Sequence, residues 1–387
     1  MVMGWWQDGP VTKRWIVVGG GVAGSVVAAR LAAAGASVAV LERGVDGATP
    51  DDLHEAASLP GRTIGDLRVR RVSGGPLVSY TCGSGLGGGS SINPGWAAGT
   101  GPFHHSHALP IEGIGVDRRV LEGGSRASVS DVYLNQAGIK DRVEIRTEVT
   151  VERVVIDHGR VAGVELFGGE VVAGDVVVLC AGALMSPALL LRSGVSGGGV
   201  GLRIQDHPSV ALRYRNVGEG SHGSIRLRRS GFIQVIETVI ADELWVVPAL
   251  MRPLSSGVTS LDEDGSLAVQ FDLCQYESER SAIAEAIEEA ISTHDDLEPV
   301  NTPHLGQVTE WLMNQLATTT PVYSHASGGC AMGAVTDRSG RVNGVDNLFV
   351  VDASVFPSIP SVNPMVPTVQ LAEIITQRWM AEGIVAS

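Results

Sequence analysis

The hydrophobic pattern near the start of the chain predicts a βαβ unit. Residues 15–18 and 37–42 are short, largely apolar runs, as expected for strands that are buried on both faces. Between them, residues 22–34 form an alanine-rich segment that predicts a helix. Arg30 and a cluster of glycines interrupt this apolar stretch, which favours a soluble βαβ unit over a membrane span. The pattern therefore predicts the opening of a doubly wound α/β sheet.

Alternation of β-branched and polar residues predicts further strands. They are residues 143–153, 160–166, 170–179, 232–240, 245–250 and 267–273. Residues 281–292 and 368–381 carry apolar positions at helical spacing and predict helices. We expect a cofactor-binding domain formed by residues 14–207 together with 321–387, and an inserted, sheet-based α+β substrate domain formed by residues 208–320.

Composition limits the kinds of partner. The 387 residues are 44% hydrophobic and 18% charged, which is enough to bury a large core. The formal net charge is -14 and there is no long basic tract, so we expect no nucleic-acid partner. Two short basic clusters, at residues 68–71 and 226–229, are expected to be solvated surface.

The cysteines and histidines predict no metal. The four cysteines are far apart in the sequence and form no CxxC pair, which favours a reducing compartment. His104, His105 and His107 lie close together, but no acidic or cysteine partner has matching spacing. The segment before residue 14 lacks the pattern of a signal peptide. We therefore expect a cytoplasmic protein that holds no metal and does not bind membranes.

A glycine motif joins the predicted strand and helix. Residues 19–24, with the sequence GGGVAG, match GxGxxG, and Glu42 ends the next strand at the spacing that the dinucleotide fingerprint requires. The glycines allow a tight turn and close backbone approach, the helix N-terminus attracts pyrophosphate, and the acid can bind ribose hydroxyls. The unit predicts a dinucleotide cofactor, but this motif by itself suits NAD almost as well as FAD.

Five later segments resemble one enzyme family. Residues 83–93 (GSGLGGGSSIN), 182–194, 205–208 (QDHP), 325–333 and 351–364 are similar, in the same order, to the motifs of the glucose-methanol-choline (GMC) oxidoreductases. The resemblance covers nearly the whole predicted cofactor domain. It implies an FAD-binding, Rossmann-like domain of the GMC type with an inserted substrate domain.

The resemblance also implies the residues around the cofactor. Because Ile92 stands where some members attach FAD through a histidine, the flavin should be bound noncovalently. The N-terminus of the C-terminal helix should lie near the flavin, where its partial positive charge would stabilise an anionic ring. The implied cofactor-binding residues are Gly19, Gly21, Val22, Ala23, Gly24, Glu42, Arg43, Gly87, Gly88, Gly89, Ser90, Asn93, Val151, Ala181, Gly182, Asp352, Ala353, Asn363, Pro364 and Val366.

The implied reaction is the oxidation of a small-molecule alcohol to a carbonyl by hydride transfer to the flavin. His325 stands at the family's position for the general base, and histidine suits that role because its ordinary pKa is near neutral. Asn363 would orient the alcohol oxygen. The alternatives for these two residues are a loop histidine bonded to backbone and an asparagine that caps the last helix. The alternative functions are a lyase or isomerase that keeps FAD without net oxidation, and a flavin-binding protein without catalysis.

The chain also departs from the family pattern. Ser196, Arg203 and Gly329 replace residues that are usual in the motifs. Between residues 99 and 123, little remains of the long lid and substrate segment that the family usually carries. A short lid predicts an open site that accepts a bulky alcohol, and the sequence leaves the electron acceptor undetermined.

Overall fold

The computed structural model describes residues 13–47, 59–65, 67–93, 127–215, 225–240 and 242–385, except for the side chains of 225–229. The short lid expected between residues 99 and 123 and the three clustered histidines, His104, His105 and His107, lie outside these residues. So do nearly all of the segment before residue 14 and the side chains of the basic cluster at 226–229.

Helices and strands alternate at the start of the chain, and strands dominate its middle. The helices in the described residues are α1 (Val22–Ala33), α2 (Gly89–Ile92), α3 (Val129–Tyr133), α4 (Gly182–Arg192), α5 (Glu277–Thr293), α6 (Val308–Thr318) and α7 (Met365–Ala381). The strands there are β1 (Arg14–Val18), β2 (Ser37–Leu41), β3 (Arg68–Arg70), β4 (Leu77–Ser79), β5 (Val143–Arg146), β6 (Val151–Asp157), β7 (Arg160–Leu166), β8 (Val171–Ala173), β9 (Val176–Leu179), β10 (Leu202–Ile204), β11 (Leu212–Arg215), β12 (Ile225–Ser230), β13 (Ile233–Ile240), β14 (Glu243–Leu250), β15 (Gly257–Leu261), β16 (Leu267–Gln270), β17 (Glu298–Pro299) and β18 (Leu348–Val350).

A parallel sheet forms the centre of the cofactor half. In the described residues its strand order is β18-β9-β1-β2-β5, and Ile16 of β1 pairs with Ala39 on one side and Val177 on the other. One face packs on α1 and α7, and the other packs on α4 and the antiparallel sheet β6-β7-β8. Because both faces are covered, the strands are apolar at nearly every position. The predicted α/β fold is confirmed.

Two predicted strands each divide between two sheets. The run 143–153 becomes β5, which joins the parallel sheet, and β6, which joins the antiparallel sheet. The run 170–179 divides in the same way into β8 and β9, around Gly174. Alternation marks extended backbone, but it does not show where the chain passes from one sheet to the next.

The second half of the molecule is also built on sheets. An antiparallel sheet has the order β12-β13-β14-β11-β17, and a mixed sheet has the order β10-β15-β16-β3-β4, as far as the described residues show. Helices α5 and α6 pack on these sheets around a shared core that includes Phe271, Ile287 and Leu312. Strands β3 and β4 belong to the range predicted for the cofactor domain, yet they pair into the same sheet as β15 and β16. The predicted domain boundaries remain a prediction.

The basic cluster at residues 68–71 is only partly at the surface. Arg68 is exposed, as expected, but the side chain of Arg71 is 1% exposed. The expectation that Arg71 is solvated is therefore wrong. Arg71 follows the end of β3 and turns into the core, where its charge interacts with the buried carboxylate of Asp206. Within the described residues, no helix is long and apolar enough to span a bilayer.

Candidate active site

Glu42 ties three turns of the predicted FAD site together. Its carboxylate accepts hydrogen bonds from the backbone N–H groups of Gly20 (2.7 Å), Gly44 (2.8 Å) and Gly85 (2.9 Å). One oxygen, Oε1, takes two of these bonds, and Oε2 takes one. Since a carboxylate oxygen has two lone pairs, Oε2 keeps one for a ribose hydroxyl. The side chain is therefore both a structural anchor and a candidate ligand.

Two glycine-rich segments pack backbone against backbone. A Cβ on Gly24 would lie 1.8 Å from the carbonyl oxygen of Gly19, so no side chain fits there. Gly88 has a φ of 50°, and a Cβ on it would lie 2.9 Å from the Cα of Gly21. This close approach explains why both the first turn and the 83–93 segment need glycine.

The backbone of this region leaves room for a cofactor. A Cβ on Gly89 or on Gly182 would meet no atom within 4 Å, so open space lies in front of both backbones. Helix α1 begins at the glycine turn with no acidic residue in its first turn. A helix N-terminus beside exposed glycine backbone is suited to a pyrophosphate.

The signature segment contacts the start of the last helix. Ser90 Oγ donates to the carbonyl of Gly87 and accepts from the N–H of Val129, which fixes the turn. Asn93 Nδ2 donates to Met365 Sδ at 3.2 Å, and Met365 is the first residue of α7. The structure thus brings the 83–93 segment to the helix end that was predicted to face the flavin.

Asp352 joins two other motifs. Its Oδ2 accepts from the N–H of Gly182 at 2.9 Å and from Ser186 Oγ at 2.5 Å, and its Oδ1 accepts from the N–H of Ser354. Burial raises the pKa of this carboxyl, and the hydrogen bonds oppose that effect. The carboxylate positions Gly182 and the 351–364 segment.

The other predicted FAD neighbours occupy the ends of elements. They are placed in the first turn of α1 (Val22, Ala23), after β2 (Arg43), at the start of β6 (Val151), just before α4 (Ala181), after β18 (Ala353) and at the start of α7 (Pro364, Val366). Their contact with FAD, like that of the glycines, remains a prediction.

A short ladder holds the loop that carries His325. Gln205 and Ser327 exchange backbone hydrogen bonds of 2.8 and 2.9 Å, which joins the QDHP segment to this loop. The N–H of Gly328 donates to Ala353, so the same loop also lies along the closing flavin segment. Three motifs that are distant in sequence meet at His325.

A second histidine fixes the proton positions on His325. His207 is fully buried, and its Nε2 lies 3.0 Å from the carbonyl oxygen of Pro360. A carbonyl only accepts, so His207 Nε2 carries the proton and its Nδ1 is an acceptor in the neutral ring. His325 Nδ1 lies 3.0 Å from that nitrogen, so with both rings neutral it is the donor. The remaining nitrogen of His325, Nε2, therefore has a free lone pair that can take a proton.

The surroundings keep His325 neutral. Removal from water, with a smaller effect of neighbouring His207, holds the pKa of His325 well below its ordinary value. The imidazole is thus uncharged at neutral pH, which is the form that can accept a proton. Its Nδ1 bonds to a side chain, so the alternative of a loop histidine bonded to backbone is not what the structure shows.

A buried carboxylate supports both histidines. Asp206 Oδ1 accepts from the N–H groups of His207 (2.8 Å) and His325 (2.9 Å), and Oδ2 accepts from Tyr80 Oη at 2.7 Å. Burial raises the pKa of Asp206 to about 6, while the Tyr80 hydrogen bond and the charge of Arg71 oppose that increase. Asp206 sets the backbone positions from which the two rings project.

The side chain of Asn363 contacts Gln234 and does not cap helix α7. Pro364, not Asn363, precedes the first residue of α7, and no side chain caps that end. The Oδ1 of Asn363 lies 3.3 Å from Gln234 Nε2, which also donates to Tyr323 Oη at 2.8 Å. The Tyr323 ring packs on the His325 ring with centroids 4.6 Å apart. Gln234 and Tyr323 thus connect Asn363 to His325, the two predicted catalytic residues.

Sequence reasoning missed most of the supporting residues. The QDHP segment resembles a family motif, but the motif assigns no role to Asp206 or His207; the only signal in the sequence is a histidine beside an acid. Gln234, Tyr323 and Tyr80 lie outside the quoted motifs and carry no local signal.

Comparisons with known proteins agree with this architecture. Two family models, both described as GMC oxidoreductase, match residues 111–209 and 253–372, and together they span more than half of the chain. An oxygen-dependent choline dehydrogenase of Burkholderia lata is 26% identical over 355 aligned residues, which include 69% of this chain and 61% of that protein. The chain therefore matches less than two thirds of the length of that relative.

Solved structures show the same fold. The crystal structure of pyridoxine 4-oxidase from Mesorbium loti superposes on this chain with a TM-score of 0.76 at 20% sequence identity. The match covers 96% of this chain and 99% of the oxidase chain. A formate oxidase of Aspergillus oryzae RIB40 has a TM-score of 0.77 at 17% identity, with the same coverage.

Proposed function

Because this chain belongs to the GMC oxidoreductase family, we propose that it is an FAD-dependent enzyme that oxidises an alcohol carbon (CH–OH) to a carbonyl. One observation carries the proposal. The Pro360, His207 and His325 chain of hydrogen bonds leaves the Nε2 of His325 as a proton acceptor, and contacts through Tyr323 and Gln234 link that ring to Asn363.

The protein groups have distinct roles in this reaction. His325 Nε2 takes the hydroxyl proton, and the carbinol C–H bond breaks with its electron pair as the C=O bond forms. Asn363 Nδ2 donates a hydrogen bond to the oxygen on which negative charge grows. FAD, when bound, supplies the acceptor for the hydride.

The FAD site is proposed to lie along the two glycine-rich segments. Glu42 would bind the ribose, the start of α1 would face the pyrophosphate, and Gly89, Gly182 and the start of α7 would border the flavin. We propose noncovalent binding because Ile92 has no nucleophile. Acid precipitation should therefore release the flavin into the supernatant, and flavin that stays with the pellet would contradict this part of the proposal.

The cellular setting is part of the same proposal. The four cysteines are free thiols, and three of them are buried, which supports a reducing compartment such as the cytoplasm. The acidic net charge supports a small-molecule substrate and gives no attraction to nucleic acid or to an anionic membrane surface.

An anaerobic reduction screen tests the function. The FAD-loaded protein is mixed with alcohols that range from small and primary to polycyclic, and the visible absorbance of oxidised flavin is followed. At least one alcohol should bleach the flavin, and His325→Gln should slow the limiting rate by about 10² to 10⁴. The matched control is His294→Gln, at the end of α5, which should change the rate less than about twofold.

Three results would decide against the proposal. They are a flavin that no alcohol reduces, a His325→Gln variant that reacts at the wild-type rate, and sustained product formation with no electron acceptor. The last result would favour the lyase or isomerase. Repeating the active reaction with oxygen and with an artificial dye identifies the class of acceptor.

A further inference from the structure

Strand β13 turns one polar side chain toward the proposed active site. Side chains alternate along a strand, and Ile233 and Val235 face the groove beside α5. Gln234 and Ile236 face the other way, and Ile236 packs in a small core cluster with Tyr323. The Gln234 side chain is 1% exposed, so its amide must be hydrogen-bonded by protein groups.

The amide of Gln234 has two hydrogen-bond acceptors in the site. Its Nε2 lies 2.8 Å from Tyr323 Oη and 3.3 Å from Asn363 Oδ1. An amide nitrogen carries two hydrogens, so it can serve both acceptors at once. The Oδ1 and Nδ2 of an asparagine lie on opposite sides of the amide carbon. Holding Oδ1 at Gln234 therefore turns Nδ2 away from Gln234.

The orientation of that amide decides what Asn363 can do. With Nδ2 toward the substrate, Asn363 donates to the alcohol oxygen and stabilises the charge that develops as the proton leaves. With Oδ1 toward the substrate, it would accept the hydroxyl hydrogen and compete with His325 for the proton. An amide free to rotate would spend part of its time in the wrong orientation.

We propose that Gln234 is a positioning residue that fixes the amide of Asn363 with its donor end toward the substrate. The expected effect on the rate rests on the proposed alcohol oxidation. The orientation of the Asn363 amide also affects ligand binding, which can be measured without turnover. The same amide also holds the hydroxyl of Tyr323, whose ring packs on His325.

Two substitutions separate the effect of the hydrogen-bond donor of Gln234 from the effect of its side-chain shape. Gln234→Met keeps a similar volume and removes both hydrogen bonds, so the Asn363 amide can rotate. Gln234→Glu keeps the shape and presents acceptors, which favours the reversed amide. The matched control is Gln270→Met on β16, whose amide donates to nearby Asp272 at 2.7 Å and to no other group among the residues that the structure describes.

The experiment is a double-mutant cycle with Asn363→Ala on the FAD-loaded protein. Two quantities are measured: the limiting rate of anaerobic flavin reduction by the best alcohol, and the Kd of acetate, followed by the change in flavin absorbance. Acetate needs a hydrogen-bond donor but is not oxidised.

We expect the limiting rate to fall about tenfold in Gln234→Met and about 100-fold in Gln234→Glu, and acetate affinity to fall about fivefold in Gln234→Met. In the Asn363→Ala background, Gln234→Met should change the acetate affinity less than about twofold, because that effect passes through Asn363. Gln270→Met should match the wild type.

The outcomes distinguish the two proposals. Additive losses in the acetate cycle, or acetate affinity that Asn363→Ala leaves unchanged, would overturn the role of Gln234. A non-additive acetate cycle in a protein whose flavin no alcohol reduces would uphold that role and reject the proposed oxidation.

Discussion

Replacing Asp206 with asparagine tests the electrostatics beneath the two histidines. The carboxyl is 1% exposed, and burial raises its pKa from 3.8 to about 6. The folded state therefore binds the proton more tightly than the unfolded state. The contribution of this group to stability is complete below about pH 4 and falls as the pH rises through about 6.

The size of the effect follows from the pKa values. One pKa unit is equivalent to about 1.4 kcal/mol, so a change from 3.8 to about 6 amounts to about 3 kcal/mol of unfolding free energy. The amide introduced by Asp206→Asn cannot ionise, but its oxygen can still accept from the N–H groups of His207 and His325. The free energy of unfolding of Asp206→Asn, minus that of the wild type, should rise by about 3 kcal/mol between about pH 4 and about pH 7.

Urea unfolding in excess FAD, followed by far-UV circular dichroism at several pH values, measures this difference. Other titrating groups, including His325 and Asp352, are present in both proteins and cancel in the subtraction. In Arg71→Met the cation that opposes the pKa increase is lost, so the fall in stability should move to higher pH. A difference that stays flat across this pH range would refute the inferred pKa of Asp206.

Three further predictions concern other parts of the molecule. In His207→Leu, the Nδ1 proton of His325 loses its acceptor, so the limiting rate of flavin reduction should fall about tenfold or more; a rate within twofold of wild type would contradict the assigned tautomer. In Glu373→Gln, the two charge-assisted bonds that Arg30 of α1 donates to Glu373 of α7 weaken, and the unfolding free energy measured in urea should fall by about 2 kcal/mol; an unchanged midpoint would show that this ion pair does not stabilise the contact between the two helices. Gly88→Ala should weaken FAD binding at least about tenfold by fluorescence titration, because its backbone has a positive φ and no room for a Cβ; wild-type affinity would show that the two glycine turns can separate.

The parts of the fold that the sequence predicts are those whose cause is local. Strands β1 and β2 are buried on both faces, so almost every residue in them is apolar and the run is visible without knowledge of its neighbours. In the glycine turn at 19–24, Gly24 has no room for a side chain because a Cβ would lie 1.8 Å from the carbonyl oxygen of Gly19, a contact inside the same βαβ unit. The division of residues 143–153 between two sheets depends on partners far along the chain, and no local pattern marks it.

The candidate site shows the same contrast between two glutamines. Gln234 and Gln270 are both polar residues in alternating strands, and the sequence treats them alike. Gln270 bonds two residues away, whereas Gln234 is buried and reaches Asn363 across 129 positions. Whether a polar residue in a strand is solvated or positions a catalytic group depends on which face the sheet covers, and only the tertiary structure determines that. Motifs therefore identified His325 and Asn363, the residues proposed to meet the substrate, but not the residues that hold them in place.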